Sequence, residues 1–149
     1  MTKKKDTNLS LFQLRKLQTE FPTETIASSR ISADLIRKFY SDDIGIFESF
    51  FILLLNRANV TTGYAKISQG GVAGTVVDIR IICKYAVEAL ASGVIIAHNH
   101  PSGLLKPSPP DLELTTRVKK ALDIFQINLL DHIILSETGY YSFADEGML

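Results

Sequence analysis

Phe50-Phe51-Ile52-Leu53-Leu54-Leu55 is an unbroken apolar run, bounded by Glu48-Ser49 before it and Asn56-Arg57 after it. It is too short for a buried helix and shows no polar alternation at the strand period of two. It therefore reads as a strand covered on both faces, as in the middle of a layered α/β sheet. Such a strand needs apolar elements above and below, and the rest of the chain supplies them. Val94-Ile95-Ile96-Ala97 is a second short buried strand. Tyr64–Ser68 alternates and ends in Gly70-Gly71, a strand and a turn. Leu129–Leu135 is a further strand, with Tyr140–Phe143 pairing to it across Glu137-Thr138-Gly139. Asp78 opens the clearest helical pattern, in which Ile79, Ile82, Cys83, Ala86, Val87 and Leu90 share one face and Gly93 is the expected stop. Further helices are predicted from about Pro109 to Phe125, over Ala33–Tyr40 with Ser32 as cap, and from near Leu9 on the spacing of Leu11, Leu14 and Leu17 with Phe12. A short strand is expected around Ile26 and Ile31. The order predicts one α/β domain, a mixed β-sheet sandwiched between helices. Residues 1–24 form an N-terminal helical extension and 25–149 the domain.

Length and composition bound the function. A chain of 149 residues holds one hydrophobic core. Sixteen Lys and Arg balance sixteen Asp and Glu, which argues against a broadly basic nucleic-acid binder. The three lysines of the first residues read as a frayed end. The single cysteine, Cys83, excludes an internal disulfide and a CxxC zinc site, sits on the inner face of its helix, and fits a reducing cytoplasm. No apolar run reaches the ~18 residues of a membrane span, and no apolar stretch follows the N-terminal charges as in a signal peptide.

The chemistry is concentrated in His98-Asn99-His100-Pro101-Ser102-Gly103, continuing to Ser108-Pro109-Pro110-Asp111. This stretch begins at the carboxyl end of a buried strand, where α/β sheets build their sites. Residues two apart on a strand face one side, so His98 and His100 present both imidazoles to one point. Asn99 then points the other way and pins loop backbone. Asp111, in the first turn of the next helix, is brought back by the intervening loop. Two histidines and a carboxylate with an open fourth position are the donor set of a catalytic zinc site. Ser108-Pro109-Pro110-Asp111 equally fits a helix start, with Ser108 as N-cap, and the two readings compete for the oxygens of Asp111. Glu48, at the edge of the apolar run, is either a solvated strand end or the proton acceptor that such a site needs. Zinc deaminase and HExxH signatures are absent.

The spacing of His98, His100, Pro101, Ser108 and Asp111 resembles the metal motif of the JAMM/MPN metalloprotease domain, in register and without gaps. The wording around His98–Gly103, the segment Leu129–Leu135 and the ending Tyr140–Leu149 resemble its RadC-like branch more narrowly. The resemblance implies a JAB/MPN fold, similar to the cytidine deaminase-like architecture, and a Zn2+ cofactor held by His98, His100 and Asp111. It implies Glu48 as the general base that takes a proton from water and returns it to the leaving amine, and Ser108 as a donor to the oxyanion. The implied partner is a peptide or protein substrate, with a peptide or isopeptide bond cleaved and no membrane. Asp131-His132 also resembles a family feature, read as structural or as supporting the ligands. Of the family's His-Pro-Arg before the long helix only Arg80 is retained. The branch further implies an accessory role in DNA repair or mobile elements in which the metal is structural. Neutral charge and the shortness of residues 1–25, too few for the helix-hairpin-helix domain common in bacterial RadC proteins, argue against direct DNA contact. Partner-binding MPN domains typically lack the metal ligands, all of which are present here.

Overall fold

The computed structural model describes residues 8–71 and 76–149. The apolar run is β1 (Ser49–Leu55), buried along its whole length. It pairs antiparallel with β2 (Thr61–Gln69) on one side and with β3 (Gly93–Asn99) on the other. β3 pairs in parallel with β4 (Asn128–Leu135), which pairs antiparallel with β5 (Tyr140–Ser142), giving the order β2-β1-β3-β4-β5. The parallel pair requires a crossover, supplied by α3 (Pro109–Ile124).

Strand alternation explains why the run shows no polar face. Phe50, Ile52 and Leu54 pack with Val94, Ile96, Val118 and Leu122 under α3 and α2 (Ile79–Glu88). Phe51, Leu53 and Leu55 pack with Ile95, Ala97 and Ile133 against α1 (Ser29–Arg37). Both faces of β1 are therefore core, and the layers run helix, sheet, helices. Cys83 is packed against the first of these clusters, and burial raises its thiol pKa, as suits a core residue. Tyr140 packs against the second and Tyr141 lies edge-on to Phe143, so both serve sheet packing.

Four expectations are corrected. No helix forms near Leu9: residues 9–19 carry no regular structure, and Leu9, Leu11, Phe12 and Leu17 stand exposed. A helix this short is marginal in water without something to pack against, and among the described residues only Leu14 of the stripe is even partly covered. The strand near Ile26 shrinks to one bridge between Thr25 and Val60. α1 begins four residues before the expected Ala33, because the extended Ser28 caps it by accepting from the Ile31 amide. Ser32 lies inside the helix and donates to the Ser29 carbonyl at 2.8 Å. Gly93 does not stop α2, which ends at Glu88 and leaves through Leu90 at φ 49°. Gly93 opens β3 instead, where a Cβ would lie 2.6 Å from Leu130 Cδ1.

Candidate metal centre

β3 ends at Asn99, and the antiparallel register sets Phe50 opposite His98. The first residues of β1 therefore lie beside the last residues of β3. Alternation brings His98 Nε2 to 3.0 Å from His100 Nε2, both on the face covered by α3. Asn99 turns the other way and is fully buried. Its Oδ1 accepts from the Ser49 amide at 2.8 Å, and its Nδ2 donates to the carbonyls of Ile44 at 2.6 Å and Phe47 at 2.8 Å. It pins the loop that delivers Glu48, whose Oε1 lies 3.8 Å from His98 Nε2 with the side chain only 15% exposed. Glu48 is thus turned toward the imidazoles and is not a solvated strand end.

Asp111 caps its own helix and also faces the two imidazoles. Ser108 Oγ accepts from the Asp111 amide at 3.2 Å, and Asp111 Oδ2 accepts from the Ser108 amide at 2.8 Å, a complete capping box. The same Oδ2 lies 3.3 Å from His100 Nε2, and Oδ1 lies 3.3 Å from His98 Nε2. A carboxylate has about four acceptor positions, so capping and facing the imidazoles coexist. Pro109 and Pro110, without amide hydrogens, occupy the first helical positions where none is needed.

The protons on the imidazoles are placed by their outer partners. His100 Nδ1 lies 2.7 Å from the Leu104 carbonyl, which can only accept, so Nδ1 carries the hydrogen and Nε2 offers a lone pair. His98 Nδ1 lies 2.8 Å from Nε2 of His132, a fully buried side chain stacked on Phe143. Burial, with the neighbouring His98, holds the His132 pKa well below its ordinary value. His132 Nδ1 in turn lies 2.6 Å from Thr115 Oγ1. Thr115 was not singled out from sequence, although it sits four residues after Asp111 and so on the same face of α3.

Two ring nitrogens and two carboxylates converge here. Among the described residues, ligand atoms of Glu48, His98 and His100 all lie within 4.8 Å of one another. Asp111 faces both imidazoles from the helix. Nitrogen lone pairs 3.0 Å apart repel unless a cation or a proton lies between them, so this donor set fits a divalent metal. Without one, the strain is met by protonation. The hydrogen bond to Asp111 raises the His100 pKa above 6.5, against its partial burial. Burial opposes ionisation of Asp111, yet the hydrogen bond from His100, with the His98 imidazole beside it, holds its pKa well below 3.8.

The signs give a pH prediction. The raised His100 contributes stability below pH 6.5 that is lost as pH rises through its folded pKa. The depressed Asp111 contributes stability above 3.8 that is lost as pH falls through its folded pKa. Because the metal competes with the His100 proton, metal affinity is expected to rise with pH and to level off only above 6.5. Zinc titration against a competing chelator over a pH series measures this. Levelling off well below 6.5 would contradict it.

A cleft of about 280 Å3 adjoins the cluster, lined by Ile44, Gly45, His100, Ser102 and Glu137 among others. A larger cavity of about 340 Å3, between Asn56, Arg57 and Gln126, lies at the opposite end of β1 and contains none of the site residues.

A mixed five-stranded sheet between helices, with imidazoles and carboxylates gathered at one end, defines an α/β domain of the JAB/MPN type. The RadC-like JAB domain matches residues 26–148, and the chain belongs to that family. It is 48% identical over 101 residues to a UPF0758 protein of Flavobacterium johnsoniae, an overlap of 68% of this chain and 44% of that one. It is 43% identical over 127 residues to a UPF0758 protein of Porphyromonas gingivalis, covering 85% and 55%. A UPF0758 protein of a Marinomonas species is 32% identical over 137 residues, covering 91% and 60%. The chain spans about half the length of the curated relatives it matches. No helix among the described residues is long and apolar enough to cross a membrane.

Proposed function

We propose that this domain is a zinc-dependent hydrolase of amide bonds, acting on a peptide or isopeptide in a protein or peptide substrate. The observation that carries the reading is the convergence of two Nε2 lone pairs and the Asp111 carboxylate on one point, with Glu48 a little farther off. His98, His100 and Asp111 would hold the ion. Nitrogen and carboxylate donors in a three-ligand set suit zinc. Bound there, zinc would lower the pKa of a coordinated water and polarise a carbonyl.

The chain's own groups supply the remaining chemistry. Glu48, mostly shielded from solvent, takes a proton from water as its oxygen adds to the substrate carbonyl carbon. It then delivers that proton to the amine nitrogen as the C–N bond breaks. Ser108 caps α3 through its oxygen as acceptor, so its hydroxyl hydrogen remains to donate to the oxyanion. The cleft beside His100 is the approach for the substrate chain.

Glu48→Gln separates these roles. It is expected to retain zinc and to lose about 10²–10⁴-fold in turnover, the usual worth of a positioned general base. The assay is cleavage of a library of peptides and isopeptide-linked peptides, read by mass spectrometry, beside metal analysis. Undiminished cleavage by Glu48→Gln would remove the base assignment. A zinc-loaded wild type inert toward the whole library would count against hydrolysis.

A further inference from the structure

We propose that Thr115 and His132 are positioning residues that fix the tautomer of His98, so that its Nε2 faces the metal point as a bare lone pair. The inference rests on the metal-site reading above and extends it to residues that hold the ligands without facing the metal point themselves.

The argument follows single hydrogens. Thr115 Oγ1 lies 2.7 Å from the carbonyl oxygen of Asp111. A carbonyl only accepts, and two oxygens at that distance need a hydrogen between them, so the hydroxyl hydrogen points at Asp111. Thr115 Oγ1 is then an acceptor toward His132 Nδ1 at 2.6 Å, and Nδ1 must carry the His132 hydrogen. The His132 ring is fully buried, where desolvation disfavours a second hydrogen, so Nε2 is bare. It accepts from His98 Nδ1 at 2.8 Å, so His98 carries its hydrogen on Nδ1 and offers Nε2 to the site.

The chain therefore runs His98, His132, Thr115 and the Asp111 backbone, and it closes on a second metal-facing residue. It ties strand β3 to the first turns of α3 through the middle strand partner β4. The His132 ring stacks on Phe143 with centroids 4.6 Å apart, a contact that favours the orientation in which Nε2 meets His98. His98 and His132 are both buried, at 2% and 0% exposure, so bulk water does not compete for these ring nitrogens. His100 reaches the same tautomer by a separate route, through the Leu104 carbonyl, and serves as an internal control.

The first test needs no variant. Long-range ¹H–¹⁵N spectra of the metal-free protein are expected to show His132 and His98 as Nδ1–H tautomers. A hydrogen on His132 Nε2 would overturn the proposal, whatever the metal does. The second test is zinc and cobalt binding by competition with a chelator, with the cobalt absorption spectrum as a readout of ligand geometry. Thr115→Val removes the acceptor while keeping the shape, and is expected to weaken zinc about 10–100-fold, the usual effect of losing an outer partner, and to alter the cobalt bands. Thr115→Ser and His132→Gln retain an oxygen or amide at the needed position and are expected to recover most of the affinity. Unchanged affinity and bands in folded Thr115→Val would overturn the proposal. A wild type with the expected tautomers but no affinity for either metal would instead overturn the metal-site reading and leave these hydrogen positions intact.

Discussion

His100→Ala and Asp111→Ala should each be purified without bound metal from conditions in which the wild type carries one zinc per chain. The loss should exceed the ~10–100-fold that removal of an outer partner costs, because each substitution deletes a donor of a three-ligand set. The two variants differ in what else they lose. His100 follows β3 and is only part-buried, so alanine there leaves the core untouched. Asp111→Ala also opens the capping box at the start of α3, which costs about 1 kcal/mol of stability. Elemental analysis with a denaturation curve separates the effects. Metal retained in Asp111→Ala would return Asp111 to helix capping alone. The ligand set would then be Glu48, His98 and His100, whose atoms already lie within 4.8 Å of one another, and Glu48 could no longer be free to act as base.

The sheet was legible where one residue type decides it. A run buried on both faces, such as Phe50–Leu55, admits few arrangements, and its layers follow from alternation. Helices with caps in their own sequence were equally legible: Asp78 accepts from the Arg80 amide and Ser108 from the Asp111 amide, as their positions indicate. The N-terminal region was not, because two forces there depend on distant partners. Leu11, Leu14 and Leu17 have helical spacing, but spacing stabilises a helix only when something covers the stripe. Ser28 and Ser32 are chemically equivalent as caps. What chooses Ser28 is the docking of Ala33, Leu35 and Ile36 on the far face of the sheet.

The site divides the same way. His98 and His100 are related by local geometry alone, so strand alternation sufficed to bring them together. Asp111 needed the loop to return, and the motif spacing signalled that it does. Glu48 lies fifty positions before His98 and meets it only through the antiparallel register of β1 and β3. Neither periodicity nor composition reports a register, so the residues around Glu48 leave a solvated strand end and a proton acceptor both open. Thr115 was missed because a threonine within a helix usually bonds back to its own backbone. It does so here, to Asp111, and its second partner on β4 is visible only in three dimensions.

Asn99→Ala should be among the most damaging single changes outside the apolar core. It removes the partners of three backbone groups at once: the Ser49 amide and the carbonyls of Ile44 and Phe47. A buried donor or acceptor left unpaired costs about 1–3 kcal/mol. The Ser49 amide has no route to water, since Ser49 and Asn99 are both essentially fully buried, whereas the two carbonyls lie in a loop that can partly rehydrate. A loss of about 3 kcal/mol is therefore expected in urea unfolding. The consequence for function is more selective. His98 and His100 are held by the β3 pairing and by their own ring partners, none of which involves the Asn99 amide. Glu48 is held by the loop that Asn99 pins. Folded Asn99→Ala should accordingly keep its zinc and lose turnover, matching Glu48→Gln in metal content while differing from it in stability. A loss below about 1 kcal/mol would mean that the loop finds other partners for those groups. Loss of zinc together with turnover would mean that the end of β3 depends on the loop, and that the two halves of the site are held as one unit.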